Sequence, residues 1–181
     1  MQTKIRLNNL RYNNIQYLHQ IIRVNHAGEY GAMCIYYGQK IALKNTVLVQ
    51  EIKEMEEQEK KHFWYFNKML QEYEVRPSFL LPIWRTLGVS LGIITGLMGR
   101  SSTMTCTIAV EEVIEKHYAE QISKLNSGDL KDTISKFRAE ELSHRDIAYI
   151  YNSKDSISSN KILSTFIKTS CKVAICLSKI I

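Results

Sequence analysis

The stretches EKKH at residues 59–62 and ELSH at residues 141–144 decide the fold of this chain. Each places a glutamate three residues before a histidine, a spacing that puts both side chains on one face of an α-helix. A further glutamate precedes each stretch by the same interval, Glu29 in the first half and Glu111 in the second (59 − 29 = 141 − 111). One offset (111 − 29 = 82) maps the first set onto the second, so the chain contains an internal repeat.

The two glutamates of each half are expected to lie on two successive helices, because turn-forming residues lie midway between them in both halves. Residues 44–46 and 126–129 interrupt helical patterns, with Gly128 suited to a left-handed helix end and Asp129 to capping the next helix. The chain has only two prolines and eight glycines, which favours long helices elsewhere. We predict an all-α, ferritin-like four-helix bundle with helices at about residues 15–43, 47–73, 103–125 and 130–152. Residues 1–181 would form one domain, with the bundle at about 15–152.

The repeated glutamates and histidines match the ligand set of a carboxylate-bridged metal pair. In helical bundles, two glutamates and two Glu-x-x-His pairs that converge in the core hold two iron or manganese ions. Oxygen-rich ligation with one imidazole per metal favours these ions over structural zinc. Four carboxylates buried together without cations would be strongly destabilising. The predicted metal ligands are Glu29, Glu59, His62, Glu111, Glu141 and His144.

The other acidic residues near the repeat have a simpler interpretation. A single Glu-x-x-His spacing is common on solvated helix faces, so only the duplicated set argues for metal. Most remaining glutamates are predicted to lie on a charged outer face: Glu51, Glu54, Glu56, Glu57, Glu112, Glu120 and Glu140. Glu115, four residues after Glu111, stays open between an exposed position and contact with the ligands.

Two tyrosines and two histidines are candidates for the layer next to the metals. The offset of 82 maps Tyr118 onto Tyr36, and for both a packing role competes with a functional one. Tyr118 and the adjacent His117 form a candidate relay for protons or electrons. His26, three residues before Glu29, has no counterpart in the second half and is interpreted as a helix cap or a partner of the ligands.

Two apolar segments, at about residues 78–100 and 161–181, predict contact with a membrane surface. The first contains FLLPIWRTLGVSLGIITGLM at 79–98, with a single charge at Arg85. Crossing a bilayer once would separate the two halves of the metal site, so we expect a helix that lies in the interface or dips into it. A crossover packed on the bundle is the alternative. The second segment is an amphipathic helix with lysines among its apolar residues, and together the two segments predict a lipid-like substrate.

The charge and the cysteine content limit the cellular compartment and the kinds of partner that are expected for this chain. The formal net charge is +6, but no basic block is interleaved with aromatic residues and no zinc-finger spacing occurs, so no nucleic-acid partner is expected. The four cysteines form no CxxC pair, and no signal peptide pattern precedes them. We therefore expect reduced, buried thiols in a cytosolic compartment.

These motifs together resemble a known family, the demethoxyubiquinone hydroxylases of ubiquinone biosynthesis. The resemblance covers nearly the whole chain and is carried by HAGEYG at 26–31, QEKKH at 58–62, AVEE at 109–112, EELSH at 140–144 and CKVAI at 171–175. The pair His117-Tyr118 matches as well. The chain departs from the pattern at Asn25, where an aspartate is common, at residues 33–34 and in the short turn at 126–129, but no predicted ligand is lost.

The resemblance implies a di-iron monooxygenase that uses dioxygen to hydroxylate the ring of a polyprenylated demethoxyubiquinol. It implies two iron ions per chain on the six predicted ligands, with His117 and Tyr118 near the site. We expect peripheral attachment at the cytoplasmic face of a bacterial cell membrane, in contact with other proteins of ubiquinone biosynthesis. Because the sequence has no dinucleotide fingerprint, electrons would come from the quinol or from an external reductase. A ferritin-like ferroxidase or peroxide scavenger and a non-catalytic quinone-binding subunit are the alternatives.

Overall fold

The described residues of the chain form six α-helices. The computed structural model describes residues 12–44, 47–152 and 157–180, and all regular structure within them is helical. The helices are α1 (Tyr12–Ala42), α2 (Leu48–Glu72), α3 (Leu81–Leu97), α4 (Arg100–Lys124), α5 (Asp129–Tyr151) and α6 (Ile157–Ile180). The predicted all-α, ferritin-like class is confirmed, and α1, α2, α4 and α5 correspond to the four predicted bundle helices. Residues 45–46 of the first predicted turn lie outside the described residues.

Two apolar clusters lie on either side of the layer that contains the repeated glutamates and histidines. Members of the first, one from each bundle helix, are Ile21, Phe66, Tyr118 and Phe137. Members of the second, in the same helix order, are Tyr36, Ile52, Met104 and Ala148. Helices α1 and α5 pass from the first cluster to the second, whereas α2 and α4 pass in the opposite direction. The bundle therefore runs up, down, down, up, and the ligand layer lies between two apolar layers.

Helix α3 returns the chain along the bundle, because α2 and α4 run in the same direction. Its 17 residues span about 25 Å at 1.5 Å per residue. It packs closely along α1: a β-carbon at Gly92 would lie 2.1 Å from the carbonyl oxygen of Ile35, and one at Gly38 would lie 2.3 Å from that of Val89. Only glycine permits such an approach of two backbones. One face of the first apolar segment is therefore packed on the bundle, as the crossover alternative predicts.

Helix α6 covers α4 and part of α1, and it is joined to α3 by a side-chain hydrogen bond. Trp84 Nε1 on α3 donates to Ser178 Oγ on α6 over 3.1 Å. The outer faces of both helices expose large apolar side chains: Ile83, Leu87, Ile94, Leu97, Ile162, Phe166, Val173 and Ile180. Across the described part of the chain, no helix has both the length and the apolar character that crossing a membrane requires.

The turn between α4 and α5 differs in detail from the prediction. Helix α4 ends at Lys124, and Leu125 is extended with φ −83° and ψ 138°. Gly128 has φ 146° and is the N-cap of α5, while Asp129 is the first helical residue. The predicted roles of these two residues are therefore wrong: Gly128 begins a helix instead of ending one, and its positive φ explains why glycine stands there.

Candidate metal centre

The six predicted ligands lie together at the middle of the bundle. The four carboxylates and two imidazoles are each at most 1% exposed. They form two groups of four in which one ligand atom from every residue lies within 4.8 Å of the others. The groups are Glu29, Glu59, His62 and Glu141, and Glu59, Glu111, Glu141 and His144. Each Glu-x-x-His pair converges because the spacing of three residues places both side chains on the inner face of α2 or α5.

Glu59 and Glu141 belong to both groups and present one carboxylate oxygen to each histidine. Glu59 Oε2 lies 3.7 Å from His62 Nδ1, and its Oε1 lies 3.2 Å from His144 Nδ1. Glu141 Oε1 lies 3.2 Å from His62 Nδ1, and its Oε2 lies 3.5 Å from His144 Nδ1. Two carboxylates divided in this way are arranged to bridge a pair of neighbouring cations.

Most of the ligand atoms have no hydrogen-bond partner among the described residues. Those without one are Oε2 of Glu29 and Glu111, both oxygens of Glu59 and Glu141, and Nδ1 of His62 and His144. Buried polar atoms are nearly always paired in proteins. So many lone-pair atoms around one small volume are satisfied by cations or by protons, and this donor set fits two divalent metal ions.

Without metal, the centre retains protons because its charges are buried together. Burial raises the pKa of Glu29 and that of Glu111 well above their ordinary values. Burial alone would lower the pKa of His144, but the carboxylates of Glu141 and Glu59 outweigh it and raise that pKa to about 10. The pKa of His62 is raised well above its usual range for the same reason. Binding of divalent ions therefore releases protons from the site.

Each histidine of the centre is held from behind by a residue on another helix. His62 Nε2 lies 2.6 Å from Glu140 Oε2, and His144 Nε2 lies 2.8 Å from Gln58 Oε1. Both partner atoms are acceptors, so Nε2 carries a proton, and Nδ1 offers its lone pair to a metal ion once the second proton has left the ring. This is the tautomer that a metal ligand requires.

Sequence reasoning missed these two partners. Glu140 is predicted to lie on the charged outer face, but its side chain is only 33% exposed and bonds His62, so that prediction is wrong. The repeat contained the signal, because the offset of 82 maps Gln58 onto Glu140 and each directly precedes a predicted ligand. Glu56 is a second exception to the outer face: it is buried and pairs with Lys40.

The two tyrosines related by the repeat both contact the ligand layer. Tyr118 donates a hydrogen bond to Glu29 Oε1, and Tyr36 donates one to Glu111 Oε1 over 2.5 Å. His117 is placed differently: its Nε2 lies 2.8 Å from Gln121 Nε2, and it lines a polar cavity of about 200 Å³ between α1, α4 and α6. A relay through His117 and Tyr118 stays a prediction.

The two remaining candidates have structural partners outside the ligand layer. His26 lies in the middle of α1, so the cap interpretation is wrong, and its ring packs against Phe63 with centroids 4.6 Å apart. Glu115 accepts hydrogen bonds from Nε and Nη2 of Arg138 at 2.8 and 2.5 Å, which joins α4 to α5. The two alternatives left open for Glu115 were an exposed position and contact with the ligands. Its ion pair with Arg138 matches neither of them.

An apolar cavity of about 150 Å³ lies beside the ligand layer, between α1, α3, α4 and α6. Its wall includes Gly28 and Val110, the chain neighbours of Glu29 and Glu111. A β-carbon at Gly28 or Gly31 would meet no atom within 4 Å, so these two glycines leave room in the cavity. The cavity can hold an apolar ligand close to the candidate centre.

Comparison with known proteins identifies the family. Residues 16–178 match the family described as "Ubiquinone biosynthesis protein COQ7". The chain belongs to the COQ7 family. It is 44% identical to the "NADPH-dependent 3-demethoxyubiquinone 3-hydroxylase, mitochondrial" of Dictyostelium discoideum over 168 residues, covering 90% of this chain and 77% of that protein. The human protein of the same name is 43% identical, covering 88% and 76%.

A bacterial COQ7-family relative is similar to nearly the same extent. The "3-demethoxyubiquinol 3-hydroxylase" of Rhodospirillum rubrum is 39% identical over 163 residues, covering 88% of this chain and 76% of that protein. The resemblance seen in the sequence is therefore confirmed, and so is the prediction that the chain is an enzyme of the hydroxylase class. The buried cluster of glutamates and histidines in this COQ7 chain is compatible with metal binding.

Proposed function

We propose that this COQ7-family protein is a di-iron monooxygenase that hydroxylates the ring of a polyprenylated 3-demethoxyubiquinol in ubiquinone biosynthesis. The observation that carries the proposal is the pair of overlapping ligand groups that share Glu59 and Glu141. The names of the relatives from Dictyostelium, human and Rhodospirillum support the reaction and the substrate. The proposed iron ligands are Glu29, Glu59, His62, Glu111, Glu141 and His144.

When bound, two iron ions supply the activation of dioxygen, for which oxygen-rich ligation with open positions is suited. The chain's own residues divide the remaining tasks. Glu59 and Glu141, which belong to both ligand groups, would help to hold both ions, while Tyr118 and Tyr36 hold the carboxylates of Glu29 and Glu111 in place. The apolar cavity would hold the quinol ring beside the centre and exclude water from it.

Hydroxylation consumes one dioxygen, two electrons and two protons for each oxygen atom inserted in the ring, with the second oxygen atom leaving as water. The electrons come either from the quinol or from an external donor. The names of the Dictyostelium and human relatives specify dependence on NADPH, which supports an external nicotinamide reductant. We therefore propose NADPH as the external electron donor, and the experiment below compares it with the quinol as the source of electrons.

We further propose that the exposed faces of α3 and α6 rest on a membrane, so that the protein is peripheral at the cytoplasmic face of a bacterial membrane. Leu97 on α3 and Ile162 on α6 are 73% and 75% exposed. Exposed apolar side chains that lie together on one surface mark protein or membrane interaction sites. Both helices also line the apolar cavity, so a lipid-borne quinol could enter it without crossing the aqueous phase. Neighbouring proteins of ubiquinone biosynthesis are the proposed partners of the remaining surface.

The competing functions differ in their use of the cavity. A ferroxidase or peroxide scavenger would share all six ligands but would have no need for an apolar cavity next to them. A non-catalytic quinone-binding subunit would use the cavity but would need no metal. The coexistence of both features favours the hydroxylase.

The test is anaerobic loading of the full chain with ferrous iron, followed by air, NADPH and a short-chain demethoxyubiquinol. Metal content and quinone products are both quantified, in parallel samples with and without NADPH. Two irons per chain and a product heavier by one oxygen atom are expected. Two irons without product would favour the ferroxidase, and product without iron would defeat the proposal.

A matched pair of variants on α2 tests the ligand assignment. Glu59→Ala should lose metal from both positions, because Glu59 is shared by both groups. Glu57→Ala, two residues away, removes an exposed carboxylate that contacts Lys60, and should retain both ions and full turnover. Equal metal content in the two variants would contradict the role of Glu59.

A further inference from the structure

The residues that contact the outer nitrogens of the two histidines differ by one charge between the repeated halves of the candidate centre. The offset of 82 that relates the ligands also relates Gln58 to Glu140 (140 − 58). Each residue directly precedes a shared glutamate, and each contacts the histidine of the other half: Glu140 contacts His62, and Gln58 contacts His144. The pattern of contacts is the same on both sides, but one partner is a carboxylate and the other is a neutral amide.

The other contacts around the centre do not compensate for this difference. The tyrosine contacts are paired across the halves, Tyr118 with Glu29 and Tyr36 with Glu111. The shared glutamates present one oxygen to each side. Lys136 Nζ lies 4.0 Å from the Glu140 oxygen that does not face His62. Glu29 Oε2 lies 3.5 Å from His62 Nδ1, whereas Glu111 Oε1 lies 4.0 Å from His144 Nδ1, so this contact adds to the difference in charge instead of offsetting it.

A carboxylate behind a histidine makes the imidazole a stronger donor to metal than an amide does. The negative charge attracts the Nε2 proton, and electron density shifts toward Nδ1, which faces the ligand cluster. Replacing such an outer partner typically changes metal affinity by about 10- to 100-fold. Glu140 and His62 are close enough, at 2.6 Å, for a charge-assisted hydrogen bond.

We propose that Glu140 and Gln58 are positioning residues that make the two metal positions unequal. The position served by His62 binds its ion more tightly and stabilises the more highly charged ion, whereas the position served by His144 binds more weakly. The inference rests on the proposed metal centre, and adds an order of filling to it. The ion next to His62 is loaded first and is the last to be lost.

The experiment uses the full chain and ferrous iron enriched in iron-57, without dioxygen. Competition with a chromophoric chelator gives the two dissociation constants, and Mössbauer spectra at one and two equivalents report whether the ions occupy distinct environments. The parent protein should show two constants about tenfold or more apart. At one equivalent, a single ferrous doublet should dominate the spectrum.

Three variants separate charge from shape. Glu140→Gln keeps an acceptor for His62 but removes the charge, so the tighter constant should weaken by about tenfold or more and approach the other. Gln58→Glu adds a charge behind His144, so the weaker constant should tighten. The double exchange Glu140→Gln with Gln58→Glu should restore the inequality with the two environments reversed. Glu57→Gln, exposed on α2, serves as the control and should change neither constant.

The outcomes distinguish this inference from the proposed function. Two bound ions with equal constants in the parent, or constants that neither single exchange shifts, would overturn the inference and leave the metal centre intact. Failure of the parent to bind two ions would overturn both. Helical content by circular dichroism identifies a misfolded variant, and Gln58→Glu still tests the inference from the other side if Glu140→Gln is the one that misfolds.

Discussion

Replacing Gly92 with alanine is expected to destabilise the protein, although alanine is the better helix former. The added β-carbon would lie 2.1 Å from the carbonyl oxygen of Ile35 and 2.9 Å from the amide nitrogen of Gln39, whereas ordinary contact begins at 3.4 Å. Both neighbours are backbone atoms of α1, so no side-chain rotation can relieve the overlap. Helix α3 must move away from α1 by roughly 1 Å along the contact.

The expected size follows from two opposing effects. Overpacking of a close contact costs about 1–3 kcal/mol, and a clash between backbones belongs at the upper end of that range. The helix propensity of alanine returns about 1 kcal/mol. A net loss of about 2 kcal/mol should lower the Tm by about 4–8 °C for a chain of this size.

The measurement is thermal and urea unfolding followed by circular dichroism, with Gly31→Ala as the matched variant. Gly31 also lies in a helix interior, but a β-carbon there meets no atom within 4 Å. Gly31→Ala should therefore leave the Tm unchanged or raise it by about 2–4 °C. The close packing of α3 on α1 would be refuted if Gly92→Ala were as stable as the parent. It would also be refuted if Gly31→Ala were less stable than Gly92→Ala.

Three further outcomes are expected. Gly28→Leu should fill the apolar cavity, so that both irons are retained while product formation falls by about tenfold or more, as metal analysis and turnover of the same sample will show. Only Cys176, which is exposed, should react rapidly with a thiol reagent at pH 8. Burial raises the pKa of Cys34 and Cys171 to about 11 and that of Cys106 to about 12, so these thiols stay protonated. Mass spectrometry of the labelled chain identifies the sites. His117→Gln should unfold less readily in acid than the parent, because burial lowers the pKa of His117 to about 4 and its protonation in the unfolded chain below pH 6.5 favours unfolding. Urea unfolding at pH 7 and pH 5 should show the gap between parent and variant change by about 1–2 kcal/mol, and an unchanged gap would contradict the buried neutral state of His117.

The ligand layer was predictable because its geometry is encoded in spacing alone. The spacing of three between Glu59 and His62 fixes their common helix face, and the equal intervals from Glu29 to Glu59 and from Glu111 to Glu141 fix a turn midway in each half. Neither inference needs knowledge of packing. The bundle class follows in turn, because carboxylates on four helices can only meet inside a bundle.

Contacts that depend on the angle between helices could not be predicted in this way. Glu140 lies one residue from Glu141 and therefore points about 100° away around α5, a direction that normally leads to solvent. It reaches His62 because α2 lies next to that side of α5. Glu56 is buried for a similar reason, since Lys40 on α1 extends over it. Sequence gives the direction of each side chain around its own helix, but not which neighbour lies there.

The repeat also extends further than the ligand pattern indicates. An offset of 82 maps α3, residues 81–97, onto residues 163–179 of α6, so each half contains three helices. Helix α3 packs on α1, and α6 packs on α4 in the equivalent place.

The two equivalent pairs of helices differ in the residues at their corresponding positions. Gly88, Gly92 and Gly96 on α3 correspond to Ser170, Ala174 and Ser178 on α6. Glycines let α3 lie directly on the backbone of α1, whereas the corresponding positions of α6 carry side chains, and Ser178 Oγ accepts a hydrogen bond from Trp84 on α3. Those three α6 residues line the apolar cavity, together with Gly88. The two halves thus share the repeated ligand layer but differ in their third helices, and the apolar cavity lies between those two helices beside the ligand layer.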